Sequence, residues 1–118
     1  MSKKKAYEFF GTMDDILDLI KNLPPAPTQE WLQDWKEFIS EKIQKKIDHR
    51  EFYHEKTKFR VRFDPAKEGK PGFEGKDHWH AYNPYTKNKL DTYFDKNGNT
   101  VKEGSGPSHI IPKKDEEN

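Results

Sequence analysis

Cysteine is absent from the 118 residues. Disulfides, thiol nucleophiles and thiolate metal sites are therefore excluded. Apolar residues are scarce as well. Even with glycine counted and tyrosine left out they number 38 of 118, well short of the roughly 45–50% of an ordinary globular domain. A large aliphatic core is excluded, and no apolar run is long enough for a membrane span or the core of a signal peptide. Aromatic residues, at 14%, compensate. Each ring buries a large area, so a small core built on rings is feasible. The length is that of one domain, and a monomer is expected.

Charge is abundant but nearly balanced, with 22 basic and 21 acidic side chains for a net +1. The balance hides a pattern. Residues 56–90 carry 9 basic and 4 acidic groups, or +5, while residues 1–55 and 91–118 each come to −2. A focused basic face can bind a polyanion without a high overall charge. A solvated lysine-rich surface has the same composition.

The pattern predicts an α+β fold: two N-terminal helices followed by a small antiparallel sheet of four or five strands. Residues 1–27 divide into a flexible basic start, a short helix and a proline-rich linker. Thr12 is placed to cap that helix, and Met13, Ile16, Leu17 and Ile20 follow at i, i+3, i+4 and i+7. Leu23-Pro-Pro-Ala-Pro27 stops it. Residues 28–112 form the main unit. Thr28 would cap a second helix, along which Trp31, Trp35, Phe38, Ile39, Ile43 and Ile47 keep close to a 3.6 period. His49 and His54 would bracket its end. From Lys58 the period falls to two: Phe59, Val61 and Phe63 alternate with Arg60, Arg62 and Asp64. Further strands are expected at 77–82, 90–94, 100–102 and, at an edge, 108–111. Asn97-Gly98 marks a tight turn between two of them. Residues 113–118 read as a disordered charged tail.

The densest chemistry is Asp77-His78-Trp79-His80. On a strand His78 and His80 share a face, and Trp79 points into the core. Three readings compete. A His-x-His pair can supply two metal ligands, with Asp77 or His109 as a third. The same imidazoles can perform metal-free acid–base chemistry on RNA, in which the 2′-hydroxyl attacks its own phosphate. There Arg60, Arg62 and Lys76 would neutralise the phosphate, and Tyr82 and Tyr85 would stack on bases. Or the histidines are satisfied polar groups of a half-exposed sheet. Ser108-His109 lacks the strand-to-helix elbow of a nucleophilic serine.

Lys70-Pro-Gly-Phe-Glu-Gly-Lys-Asp-His-Trp-His80, Asn83-Pro84, Phe94-Asp95-Lys-Asn-Gly-Asn99 and Ser108-His-Ile-Ile-Pro112 occur in this order. In that order the segment 60–112 resembles the C-terminal toxin domains of bacterial polymorphic and contact-dependent toxin systems. A second likeness is narrower. Asp77-x-x-His80 followed by Phe94-Asp95-x-x-Gly98-Asn99 is similar to the ribosomal-RNA-cleaving domain of the ribonuclease colicins, although that family's glutamate falls on Pro84 here.

The resemblance implies a toxin domain that acts as a metal-independent endoribonuclease on tRNA or rRNA and needs no cofactor. His78 and His80 would be the acid–base pair, Asp77 would orient one of them, and His109 would join if the last strand pairs beside theirs. It also implies delivery as part of a larger secreted toxin, action in the target-cell cytoplasm, and an acidic cognate immunity protein. Two other functions stay open: a non-catalytic module binding nucleic acid or protein through a basic sheet face, and a metal-dependent nuclease using the His-x-His pair.

Overall fold

The computed structural model describes residues 9–39 and 48–112. Within them the fold is α+β. One helix, α1 (Met13–Lys21), precedes strands β1 (Trp35–Phe38), β2 (Arg50–His54), β3 (Arg60–Asp64), β4 (His78–Tyr82), β5 (Tyr93–Phe94) and β6 (Thr100–Val101). The six strands lie in chain order in one antiparallel sheet. Among the described residues no helix is long and apolar enough to cross a membrane.

Helix α1 begins where Thr12 places it. The Thr12 hydroxyl accepts from the Asp15 amide at 3.2 Å, and the Asp15 carboxylate accepts from the Thr12 amide at 2.7 Å. This reciprocal box satisfies two of the amides that a helix start leaves unpaired. Ile16 and Ile20, four residues apart, are buried against the sheet. Thr12→Ala should lower the unfolding free energy by about 0.5–2 kcal/mol in urea titrations. An unchanged midpoint would show that packing alone holds α1.

The second helix is a misreading across 28–39. Thr28 leads only into a single 3-10 turn, Trp31–Gln33, where its hydroxyl accepts from the Trp31 amide at 3.1 Å. Asp34 ends that turn, and β1 follows at once. The helical period placed Trp35 and Phe38 on one face. As strand residues three apart they face opposite ways: Trp35 is buried in the core, and Phe38 packs on Tyr53 and Arg60. Antiparallel pairing with β2 outweighs local helical preference here, as tertiary context often does. The expected positions Ile43 and Ile47, the basic start at 1–7 and the tail at 113–118 lie outside the described residues.

Strand β2 went unseen in the sequence, because residues 49–54 read as a helix end. The later strands fall near their expected places but are shorter. Lys89–Asp91 is a 3-10 turn rather than strand, and the expected edge strand at 108–111 reduces to one bridge between Ile110 and Trp79. The Asp95–Asn99 turn forms as read: Gly98 holds φ +85°, and the Asp95 carboxylate accepts from the amides of Asn97 and Asn99.

The core is aromatic. Trp79 is fully buried, packs within 6.1 Å of Trp31, Phe52 and Phe63, and donates its indole N–H to the Pro24 carbonyl at 2.7 Å. The register then settles the opposite sheet face. Val61 pairs with Ala81 and Phe63 with Trp79 on the core side. In alternation with them Arg62 pairs with His80 and Asp64 with His78, so all four polar side chains emerge together on the other side.

Candidate functional site

A cleft of about 330 Å³ opens on that polar face. Its floor is Asp64, and His78, His80, His109, Arg62 and Tyr93 stand around it. The third histidine arrives through backbone pairing. The bridge between Ile110 and Trp79, at 2.8 and 2.9 Å, lays the last segment along β4 where β5 ends. His109 thereby sits 4.9 Å from the His78 ring and 4.8 Å from that of His80, centroid to centroid. His78 and His80 are 5.1 Å apart, so three imidazoles converge.

Asp64 organises the cluster. Its two oxygens accept a forked pair of bonds from Arg62, at 2.8 and 2.9 Å. One of those oxygens also lies 3.3 Å from Nε2 of both His78 and His80, and the other lies 3.4 Å from His49. Burial pushes the Asp64 carboxyl up, but His78, His80 and Arg62 outweigh it and hold the group well below the usual carboxylate range. Burial likewise works against the Arg62 charge, and Asp64 overcomes it and raises the guanidinium. His80 is pushed down to about 4 by burial, which Asp64 only partly offsets. It is therefore a neutral imidazole at pH 7.

Hydrogen bonds fix where the protons lie. A backbone carbonyl only accepts, so a ring nitrogen bonded to one carries a proton. His78 Nδ1 lies 2.9 Å from the Lys76 carbonyl, and His109 Nδ1 lies 3.0 Å from that of Ser105. His109 Nε2 therefore carries a lone pair whenever that ring is neutral. Neutral His80 donates from Nε2 to Asp64, so its Nδ1 is an acceptor. That atom is buried and has no hydrogen-bond partner among the described residues.

The other expected site residues scatter. Asp77 points away from the histidines and accepts from the Ala66 amide at 2.7 Å. The orienting carboxylate is Asp64 instead. Lys76 is exposed and contributes its carbonyl to His78, while its ammonium group does not line the cleft. Arg60 stacks over Phe38 and Tyr82 beside Glu51, outside the cleft. Tyr82 is no stacking platform: it is buried and donates to Glu51 at 2.6 Å. Burial, with Glu51 beside it, raises its phenol. Tyr85 is exposed but packs edge-on against Phe9, away from the cleft.

His49, Lys67 and Phe73 were not read as site residues from the sequence. His49 and Lys67 line the cleft, and Phe73 stacks on His109 at 4.5 Å. Lys67 lies in the basic loop after β3, and that charge was the available signal. His49 was legible only once β2 was known to pair with β3. The Ser108 hydroxyl donates to the Ser105 carbonyl at 2.7 Å, which occupies it away from any nucleophilic role.

Compared with protein-family models, with curated proteins and with solved structures, the chain matches none.

Proposed function

We propose that the chain is a metal-independent endoribonuclease, the cleaving domain of a larger delivered toxin. The observation that carries the catalytic half is the convergence of His78, His80 and His109 around Asp64 and Arg62 in one open cleft. The toxin half rests on the order of motifs in 60–112.

In this reading His109 Nε2 takes the proton of the ribose 2′-hydroxyl. The 2′-oxygen attacks the adjacent phosphorus, and the bond to the 5′-oxygen breaks. The leaving 5′-oxygen takes a proton from His78, whose Nε2 faces Asp64. The products are a 2′,3′-cyclic phosphate and a 5′-hydroxyl, and the two histidines exchange protonation states. Arg62 and Lys67 stabilise charge on the phosphorane. Neutral His80 holds Asp64 in place, and Asp64 orients the histidines, the role the sequence gave to Asp77.

The test is incubation of the purified chain with total RNA, intact ribosomes and duplex DNA, each with and without EDTA. RNA cut in EDTA, with cyclic phosphate ends and DNA untouched, is the expected result. An intact RNA pool in every condition would overturn the reading. A binding module would instead show only retention of RNA, falling steeply with salt.

A further inference from the structure

We propose that His78, His80 and His109 form a binding site for one divalent transition-metal ion, of which zinc is the best fit, and that this ion switches the cleft off. Each histidine can offer one ring nitrogen such that all three lie within 4.8 Å of one another. Imidazole nitrogens bind zinc at about 2.0–2.1 Å. Ring rotations and a modest inward shift therefore bring all three onto one ion.

The surroundings are already arranged as ligand support. The Lys76 carbonyl holds the His78 Nδ1 proton, and the Ser105 carbonyl holds that of His109. Each bond fixes the tautomer that leaves Nε2 for a metal, the usual way a protein orients metal-bound histidine. Asp64 supports His80 in the same manner from Nε2, which leaves the buried Nδ1, without a hydrogen-bond partner among the described residues, as its donor. Between His78 Nε2 and the Asp64 oxygen, 3.3 Å apart, a proton or a metal ion satisfies both atoms.

Charge points the same way. Besides its histidines, the cleft lining carries Arg62 and Lys67 against Asp64, Glu74 and Glu103, two basic groups against three acidic. The three carboxylates offset the added charge of a divalent cation. An imidazole set without thiolate suits zinc, cobalt, nickel and copper.

The inhibitory role rests on the nuclease reading, and the binding does not. Bound metal takes the His109 lone pair that would accept the 2′-hydroxyl proton, and it displaces the proton on His78. Calorimetry of the full chain with zinc chloride reads the binding, and the visible absorption of cobalt(II) reads the coordination. One ion per chain and the intense absorption of tetrahedral cobalt are expected. His109→Ala should weaken zinc by at least about tenfold. His54→Ala, outside the cleft, should leave affinity unchanged. His109→Gln serves if the alanine variant loses its native circular dichroism.

No saturable binding, or equal affinity in the His109 variants, would overturn the site. Zinc should also suppress RNA cleavage over the range in which it binds. Cleavage indifferent to bound zinc, or seen only with zinc, would overturn the inhibitory role while the site stands. Saturable binding with no cleavage in any condition would overturn the nuclease reading, and the inhibitory role with it.

Discussion

Asp64→Ala should lower the unfolding free energy by about 3–5 kcal/mol, the usual loss when one partner of a buried ion pair is removed. The Asp64 side chain is 8% exposed and that of Arg62 is 13%. Water solvates the guanidinium that Asp64 leaves behind only poorly, because so little of it is exposed, and no aspartate remains between the histidines. The cost is mainly that orphaned charge rather than the worth of the pair. Its size follows from the asymmetry between breaking a buried pair and never having one. Removing both partners is thus the discriminating experiment. Asp64→Ala combined with Arg62→Met should recover part of the loss, because methionine fills similar volume without charge. Urea denaturation of the two single variants and the double variant reads all three values. A loss below about 1 kcal/mol for Asp64→Ala, the scale of an exposed pair, would mean that the cluster is open to water.

The same aspartate marks the limit of what the sequence shows. Asp77 looked like the partner of the histidines because it is their neighbour in the chain. Alternation on a strand argues the reverse, since a residue next to His78 faces the other way. Arg62 and Asp64, two apart, share a face by the same rule, and their fork was open to prediction. The meeting of Asp64 with His78 was not. It depends on the register of β3 against β4 across the loop between them, and no local signal in that loop states the register.

The helix start at Thr12, the alternation through Phe63 and the turn at Asn97-Gly98 were legible because each is decided within a few residues. Trp31 to Phe38 was misread because large apolar residues three and four apart fit a helix. They equally fit a turn followed by a strand that uses both faces. His109 depended on a bridge to Trp79 that closes 31 residues of chain, and the sequence could offer it only as a conditional member of the site.

His109→Ala should reduce RNA cleavage by about 10²–10⁴-fold, the range for losing a positioned acid or base, while the fold persists. Three observations suit His109 to the role of base. It is half-buried where His78 and His80 are buried, so substrate reaches it with the least rearrangement. Its Nδ1 is held by the Ser105 carbonyl, so its lone pair lies on the remaining nitrogen. It stacks flat on Phe73, with 11° between the rings, which fixes its plane. None of its side-chain partners belongs to the Trp79 core, and its backbone bond to Gly106 survives truncation. Thermal unfolding should therefore move by only a few degrees. Phe73→Ala removes the stack and keeps the imidazole. It should cost far less activity than His109→Ala and act mainly on kcat, through looser placement of the ring. Initial rates on one defined RNA, with circular dichroism as the fold control, read both variants. A His109→Ala protein that is folded and cuts within tenfold of wild type would remove His109 as the base and return that role to His80 Nδ1, the buried acceptor with no hydrogen-bond partner among the described residues.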